Sequence, residues 1–548
     1  MIVRRALVIV ALMATCAWGV LTVRADHGPK KAAAGRPPLY EGLGAIDHKV
    51  TTASPLAQQY FNQGVRLIFA FNHDEAVRAF RAVESIDPDC AMAQWGIALA
   101  LGPNYNLAAD PERTALGYQA LAKAQKLAPR ATPKEQAYIA AIAKRYSADP
   151  KAERPPLDGA YATAMRDVAA KYPEDLDAAV FAAEGFMQLR PWDLWTTDGG
   201  APLPGTQEIV ALLQGVLAKN PDHTGANHYL IHAVEASNHP EEALPSAQRL
   251  GGVAPGAGHL VHMPSHIFFR LGMYEESARS NELAIEVDER YFESAKPDGV
   301  YPMMYYPHNI NFLAAAYAMQ GRSKEAIAAA AKVGEKLPQS MIKDMPMIEI
   351  LVPVPWYLLE RFERWDEILK IEKPLAELKF TTGMWHFCRG KALVAKGDAE
   401  GAEKERLGLA KQLAETPQDL ILMRHSAVRL LSIALADLSA AQAAKAGKID
   451  DAIAHLRVAV DLQDHVLYDE PPAWPVSERE ALGRILLVAK KPIEAEAVFR
   501  EDLRLHPNSG WALFGLEKSL RAQDRTADAD ATKALFDKAW SQADIPPR

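Results

Sequence analysis

The feature that most constrains this chain is a unit of about 34 residues that contains two amphipathic segments. Residues 57–88, AQQYFNQGVRLIFAFNHDEAVRAFRAVESIDP, place small and aromatic residues at helical spacing in two stretches, and Pro88 closes the second. Pro221 and Pro255 lie 34 residues apart and close an equivalent unit. Proline ends a helix because it lacks an N–H and its ring clashes with the preceding turn. The chain is therefore predicted to be an array of stacked two-helix units.

The same pattern recurs along most of the sequence, and strand patterns are nearly absent. It resembles the tetratricopeptide repeat, which implies an all-α, right-handed α-solenoid of roughly ten helix-turn-helix units over residues 56–548. The stretches HMPSH (262–266) and YPHN (306–309) are also similar to stretches in a group of exported bacterial tetratricopeptide proteins. That second resemblance implies no activity. Further copies of the repeat are GMYEESARSNELAIEVD, GRSKEAIAAAAKVGEKLP, GKIDDAIAHLRVAVDLQ and KPIEAEAVFREDLRLHP.

The N-terminus has the pattern of a targeting segment. Arg4 and Arg5 precede an apolar run over 6–23, and Val23 and Ala25 fit the positions that an export peptidase reads. We predict a signal peptide over 1–25 and an exported protein, periplasmic or secreted, with no stable membrane insertion after cleavage. An uncleaved anchor is the alternative, because a run of about 18 apolar residues is borderline for spanning a bilayer.

Residues 26–55, rich in Gly, Pro, Lys and Ala, are predicted to be a flexible lead-in. Cys90 and Cys388 lie many repeats apart, so we expect no disulfide between them. The net charge is −8 and no basic stripe is present, which disfavours a nucleic-acid partner.

Histidines concentrate in one segment, residues 222–312. His228 and His232 are four residues apart, as are His262 and His266, and the two pairs are separated by 34 residues. Residues i and i+4 share one helix face. His259 and His308 lie at equivalent places near the start of the first helix in successive units. The resemblance implies that these first helices line the concave groove, so that all six imidazoles face a ligand.

Pro264 interrupts the second pair. One alternative is that a helix begins there, with Pro264 in its first turn. His259 and His262 would then lie on the preceding loop, and helical spacing would not bring them together.

Imidazole suits zinc, copper, iron and nickel. The sequence predicts a site for a divalent transition metal, with zinc or copper favoured over iron, holding one or two ions. Two sets of three histidines would resemble type 3 copper proteins by analogy only. Glu235, one turn beyond His232, is predicted to be a ligand or a general base. Few other carboxylates are predicted to face inward, which disfavours a di-iron centre.

Four insertions rich in Pro, Gly and aromatic residues interrupt the repeats. Loops longer than about 12 residues are often functional. Trp192, Asp193 and Tyr306 are predicted to form the wall of a pocket, although aromatic residues also anchor loops. The insertions span residues 101–113, 189–205, 293–307 and 469–477.

Two functions fit these residues. The first is an exported metalloprotein, with or without an enzymatic reaction on a small molecule. The second is a scaffold whose groove binds a peptide or protein without metal, with Arg270 and Asn311 making polar contacts. A histidine-lined groove for an anionic ligand and purely structural histidines are further alternatives. The sequence has no nucleophile elbow, phosphate loop or dinucleotide fingerprint that would favour other chemistry.

Overall fold

The computed structural model describes residues 36–149, 151–336, 342 and 346–546. The predicted signal peptide, 1–25, lies outside these residues. Within them the chain is all-α and tetratricopeptide-like, with one small two-stranded exception, Ile421–Leu422 paired antiparallel with His425–Ser426. The all-α prediction is confirmed.

Successive helices pack on one another along the chain. Up to the histidine-rich segment they are α1 (Pro55–Phe69), α2 (His73–Ile86), α3 (Ala91–Leu101), α4 (Pro111–Leu127), α5 (Pro133–Ile142), α6 (Arg154–Lys171), α7 (Leu176–Met187) and α8 (Thr206–Lys219). The segment itself contains α9 (Thr224–Val234), α10 (Leu244–Val253), α11 (Gly258–His262), α12 (Pro264–Arg270), α13 (Tyr274–Ala295) and the start of α14 (Tyr306–Met319), which α15 (Ser323–Lys336) follows. Later helices are Val354–Arg361, Trp365–Ile368, Lys379–Lys396, Ala399–Glu415, Ala427–Lys445, Ile449–Asp464, Glu478–Val488, Pro492–Leu505, Gly510–Arg521 and Thr526–Ala539.

Small residues that face aromatic rings explain the repeat pattern. A Cβ added at Gly64 or at Gly96 would lie 2.5 Å from the ring of Phe80, so a larger side chain at either position would collide with it. The ring of Phe499 fills the same kind of gap against glycines near the C-terminus. Dense interior packing of this kind is the main source of stability in a chain whose two described cysteines, Cys90 and Cys388, are free and buried.

Residues 36–54 form an extended strap, not the loose lead-in that was predicted for 26–55. Leu43 and Ile46 are buried, and Arg66 of α1 donates to the carbonyl of Ile46 at 2.6 Å. His48 Nδ1 lies 2.7 Å from Asp177 Oδ2 in α7. The prediction was wrong for these residues because apolar and hydrogen-bonding side chains are spaced among the Gly and Pro. Residues 26–35 lie outside the described part.

The C-terminal helices return to contact the middle of the array. The indole nitrogen of Trp511 donates to the carbonyl of Ala318 at 3.1 Å, and Arg424 Nη1 donates to the carbonyl of Trp192 at 2.6 Å. These contacts join residues about 190 and 230 positions apart and border a large cavity. Residues of the histidine-rich helices and of the C-terminal loops both line this cavity.

Helix Ala427–Lys445 is long and apolar enough to span a membrane by length and composition. No such segment was expected after the signal peptide. Core packing accounts for its composition, because Leu430, Leu431, Ile433 and Leu438 are fully buried within the protein.

Candidate metal centre

Three first helices of consecutive repeats carry the six histidines. His228 and His232 lie on α9, His259 and His262 on α11, His266 on α12 and His308 on α14. Only Met263 separates α11 from α12, and its φ of −52° and ψ of −35° are helical. The helix therefore begins at Gly258, and the alternative that placed His259 and His262 on a loop was wrong. Pro264 is tolerated because its neighbours keep the helical conformation.

The first triad consists of His228, His232 and His259, whose candidate ligand atoms all lie within 4.8 Å of one another. His228 Nδ1 lies 2.7 Å from the carbonyl oxygen of Phe69, and His232 Nδ1 lies 2.8 Å from Glu235 Oε1. Each Nδ1 is therefore the protonated donor, and each Nε2 is left as a free acceptor. Those two Nε2 atoms, and both ring nitrogens of His259, are buried without a partner in the described protein. Each such group costs about 1–3 kcal/mol.

The second triad consists of His262, His266 and His308, with the same upper limit of 4.8 Å between candidate ligand atoms. His262 Nδ1 lies 2.6 Å from Asn281 Oδ1, and His266 Nδ1 lies 2.5 Å from Glu235 Oε2. The amide nitrogen of Asn281 donates to Ser277, so its oxygen is the atom that faces the imidazole. Both rings are thus protonated at Nδ1, yet their Nε2 atoms lie 2.8 Å apart. Two facing lone pairs repel unless a cation lies between them.

The two triads are adjacent. The ring centroids of His259 and His262 are 5.8 Å apart, as are those of His232 and His266. A tetrahedral metal with bonds of about 2.0–2.1 Å would hold its nitrogens about 3.4 Å apart. That spacing lies between the 2.8 Å that separates the Nε2 atoms of His262 and His266 and the 4.8 Å upper limit within each triad, so modest ring movements would adapt each triad to an ion. The predicted convergence of the six imidazoles is therefore present.

Glu235 has a different position from the predicted one. It lies behind the imidazoles, and each of its oxygens already accepts an N–H, from His232 and from His266. Burial alone would raise the pKa of this carboxyl, but the two histidines outweigh burial and lower the pKa to about 2. A carboxylate held in this way orients its two partners. One of its oxygens also lies within 4.8 Å of candidate ligand atoms of His266 and Glu470, so its role as a ligand stays a prediction.

The imidazoles are held in the form that binds metal. Burial, reinforced by neighbouring histidines, lowers the pKa of His228, His259 and His262 well below the ordinary value. Burial also lowers the pKa of His232, and that of His308 to about 3. Neutral imidazole is the ligand form, so the centre needs no deprotonation near neutral pH.

Aromatic residues that the sequence analysis missed surround the imidazoles. Phe71 contacts His228 edge-on, with ring centroids 4.5 Å apart, and stacks on His259 at 5.3 Å. Phe71 is the second residue after the end of α1, and its φ is 55°. The equivalent positions after α12 and α14 are glycines, Gly272 and Gly321, with φ of 70° and 69°. A left-handed conformation is unfavourable for a bulky residue. Alignment of the repeats could have revealed this phenylalanine in a glycine position.

Other rings complete the wall. Tyr305, whose centroid is 4.7 Å from that of His259, lies in the insertion that precedes α14. Tyr105 and Trp192, from two further insertions, approach His232 at 5.2 and 5.3 Å. The ring centroid of Phe312 lies 4.8 Å from that of His266.

The centre borders the large cavity, which has a volume of about 3780 Å³. All four predicted insertions contribute to its lining, and the fourth brings Glu470, whose Oε2 lies 3.6 Å from His266 Nδ1. Burial, together with the charge of Glu235, raises the pKa of Glu470 well above its ordinary value. The cavity lining includes His232, His259, His266 and His308 from the centre and Trp192, Asp193, Arg270 and Asn311 among the other predicted site residues.

Tyr306 is placed differently from the prediction. Its hydroxyl donates to Glu289 Oε1 at 2.7 Å, its ring packs on Phe292, and it is not part of the cavity lining. A helix turns by about 100° per residue, so Tyr305 and Tyr306 face different directions, and the sequence pattern did not distinguish them.

Comparison with known proteins gives little beyond the architecture. No protein-family model matches the chain, and no curated protein matches its sequence. Among solved structures, the human IFIT1 dimer with m7Gppp-AAAA shares 12% identity over 89% of this chain and 91% of that chain, with a TM-score of 0.33. Yeast Tom70 shares 10% over 88% and 90%, with a TM-score of 0.28. The P58(IPK) TPR domain shares 11% over 86% and 99%, with a TM-score of 0.21. Scores this low carry no argument about function.

Proposed function

We propose that this protein is an exported tetratricopeptide-like metalloprotein that holds two transition-metal ions, one in each histidine triad. The observation that carries the proposal is the set of buried ring nitrogens without a protein partner. Nε2 of His228, Nε2 of His232 and both ring nitrogens of His259 are buried without a partner in the described protein, and each of the three rings offers one ligand atom within 4.8 Å of those of the others. An unsatisfied buried acceptor is rare in native proteins and calls for a ligand.

The donor set favours zinc or copper. Imidazole nitrogens are the converging atoms, and the nearest carboxylate, that of Glu235, is already used to orient two of the rings. Iron centres in helical proteins rely on several carboxylate ligands. Three histidines per ion leave room for a further ligand from the cavity, the pattern of catalytic zinc sites. The centre is accordingly proposed to act on a molecule that enters the cavity.

A scaffold that binds a peptide is the second candidate, and the size of the cavity favours it. A volume of about 3780 Å³ exceeds the roughly 300–1,000 Å³ of ordinary small-molecule pockets. A peptide groove, however, requires no convergence of unpartnered imidazoles. The two candidates differ in whether metal is bound at all.

The deciding experiment is elemental analysis of the protein purified without a histidine tag, before and after incubation with zinc, copper and iron salts. Near-stoichiometric metal, about two ions per chain for two three-histidine sites, is the expected result. A double variant, His232→Ala with His266→Ala, should lose the bound metal.

The matched control removes two histidines from the surface, His239→Ala with His465→Ala, since both are exposed. Retention of metal by the control and its loss from the first variant would locate the ions. Wild-type protein that binds none of the three metals would refute the proposal and leave the peptide scaffold as the better candidate.

A further inference from the structure

We infer that Arg270 binds the carboxylate group of a small anionic ligand whose other end reaches the metal pair. The inference deepens the proposed function and rests on it for the position of the ions. It assigns a chemical class, a carboxylate-bearing molecule, to the occupant of the cavity.

The position of Arg270 follows from the helix that carries the second triad. His262, His266 and Arg270 are spaced by four residues, so they lie on one helix face with Arg270 one turn beyond His266. The side chain lines the cavity and is partly buried. A ligand whose carboxylate is bound by Arg270 would therefore extend toward the imidazoles.

The guanidinium of Arg270 forms no ion pair with a described residue, although Glu470 is near enough to feel its charge. Its Nη2 donates to the carbonyl of Ser237 at 2.9 Å, and its central carbon lies 5.3 Å from the ring centroid of Tyr468. Its Nε is buried without a partner, and no carboxylate oxygen of the described chain lies within 4.0 Å of it in an ion pair. Planar guanidinium groups match the two oxygens of a carboxylate. A buried N–H that awaits an acceptor is what such a site requires.

Two other arginines of the cavity differ from Arg270 because each forms an ion pair. Arg361 pairs with Glu480 at 3.1 Å, and Arg479 pairs with Asp464 at 2.6 Å. Arg424 resembles Arg270 instead: it donates to the carbonyl of Trp192 and has no ion pair in the described residues. The ring of Trp192 contacts His232, so Arg424 is connected to the first triad through Trp192, as Arg270 is to the second through its own helix.

The charge of the proposed metal pair also favours an anionic ligand. An imidazole ligand brings no negative charge to a metal, and Glu235 and Glu470 could offset only part of the charge of two divalent ions. Excess positive charge in a cavity of low dielectric constant attracts anions strongly. An anionic ligand would balance both the ions and the guanidiniums.

The test compares benzoate with benzamide, its neutral analogue of the same shape, by calorimetric titration of the zinc-loaded protein. Benzoate should bind at least about tenfold more tightly, since charge-assisted hydrogen bonds are roughly twice as strong as neutral ones. Arg270→Gln should abolish this preference without changing the zinc content. Arg457→Gln, at a surface arginine paired with Glu494, is the matched control. It should change neither the preference for benzoate nor the zinc content.

Zinc is measured in every sample before ligand is added. Failure to bind metal is therefore distinguished from failure of Arg270 to bind a carboxylate. Full zinc with equal binding of benzoate and benzamide would overturn the inference and leave the proposed function standing. Loss of zinc in Arg270→Gln would also overturn it, by making Arg270 a support of the centre. If wild-type protein takes up no zinc, the preference of the metal-free protein decides whether Arg270 binds carboxylates: preference for benzoate supports that, and equal binding refutes it.

Discussion

The imidazoles of His232 and His266 are joined through one carboxylate, although a repeat boundary separates them. His232 Nδ1 lies 2.8 Å from Glu235 Oε1, and His266 Nδ1 lies 2.5 Å from Glu235 Oε2. Since each oxygen accepts one N–H, the carboxylate fixes the orientation of both rings and leaves both Nε2 atoms deprotonated. One side chain thus prepares a donor atom in each triad.

Glu235→Gln is expected to lower metal affinity by about 10–100-fold, the usual effect of losing a carboxylate that orients a ligand. The amide presents an N–H to an imidazole N–H, so one ring must turn or change tautomer. Competition with a chromophoric chelator measures the affinity. Glu405→Gln is the control, because Glu405 also lies 2.6 Å from a histidine Nδ1, that of His386, outside the centre. Unchanged affinity in Glu235→Gln would contradict the assigned role.

The two triads should lose metal independently. His259→Ala removes a ring that makes no protein hydrogen bond through its nitrogens, and His308→Ala removes a half-buried ring from the other triad. Each variant is expected to keep about half of the wild-type metal, because three ligands remain in the untouched triad. Elemental analysis and circular dichroism check content and folding together. Complete loss in either single variant would favour one shared ion.

Stability of the metal-free protein should fall as the pH drops below about 6.5. Burial lowers the pKa of His228, His259 and His262, so below that pH the unfolded chain binds protons that the folded chain does not. Each histidine then reduces the free energy of unfolding by up to about 1.4 kcal/mol per pH unit. Urea unfolding between pH 7.5 and 5 measures the slope. His259→Ala should give a shallower slope, and an equal slope would argue against its depressed pKa.

The strap over 36–54 should depend on Asp177. His48 Nδ1 lies 2.7 Å from Asp177 Oδ2, and His223 Nε2 lies 3.0 Å from Asp177 Oδ1. Asp177→Asn is expected to reduce the free energy of unfolding by about 3 kcal/mol, as for a buried ion pair that loses one partner. Asp198→Asn, at an exposed loop aspartate, should have little effect. Urea unfolding and proteolysis of the strap measure the difference.

The effect of Asp177→Asn should depend on pH. Burial alone would lower the pKa of His48, but its hydrogen bond to Asp177 raises the pKa above the ordinary value. Its contribution to stability is therefore full below about pH 6.5 and is lost as the pH rises through the folded pKa. Asp177, whose pKa is lowered by His223 and His48 against the effect of burial, contributes above about pH 3.8. The loss in Asp177→Asn should thus be larger at pH 6 than at pH 9.

Phe71 should stabilise the centre despite its backbone conformation. Phe71→Gly relieves a left-handed φ of 55°, worth about 1 kcal/mol, but removes a buried ring worth about 3–5 kcal/mol. A net loss of about 2–4 kcal/mol is expected in urea unfolding. Lys490→Gly is the matched control, since Lys490 has a φ of 57° and an exposed side chain, and it should stabilise the protein instead. Stabilisation by both changes would show that the ring of Phe71 contributes little.

Periodicity in the sequence predicted the helical array and the stacking of equivalent histidines, whereas their convergence on one groove was implied by the resemblance to the tetratricopeptide repeat. The stacking depends on local spacing, because residues four apart share a helix face and residues 34 apart recur in the next unit. The positions of Glu470 and Arg424 in the cavity could not be found in this way. Both residues reach the cavity through contacts of the C-terminal loops with residues about 200 positions earlier, which no repeat period encodes.

The errors also have physical causes. Tyr306 was predicted to line a pocket because the sequence does not show which way each residue of that insertion faces. Glu235 was predicted to be a ligand or a general base because its distance from His232 was clear, whereas its second partner, His266, became visible only in the fold. The strap was judged loose from its composition, although a few well-placed side chains suffice to dock it.

Each triad draws two histidines from one repeat and the third from the next. In a repeat array most contacts of a unit are with its neighbours, so opening normally begins wherever one interface is weak. Ions in the triads would act as cross-links over two successive interfaces and merge three units into one cooperative block. Amide exchange in α9, α11, α12 and α14 would then slow together on loading, more than in helices outside these units.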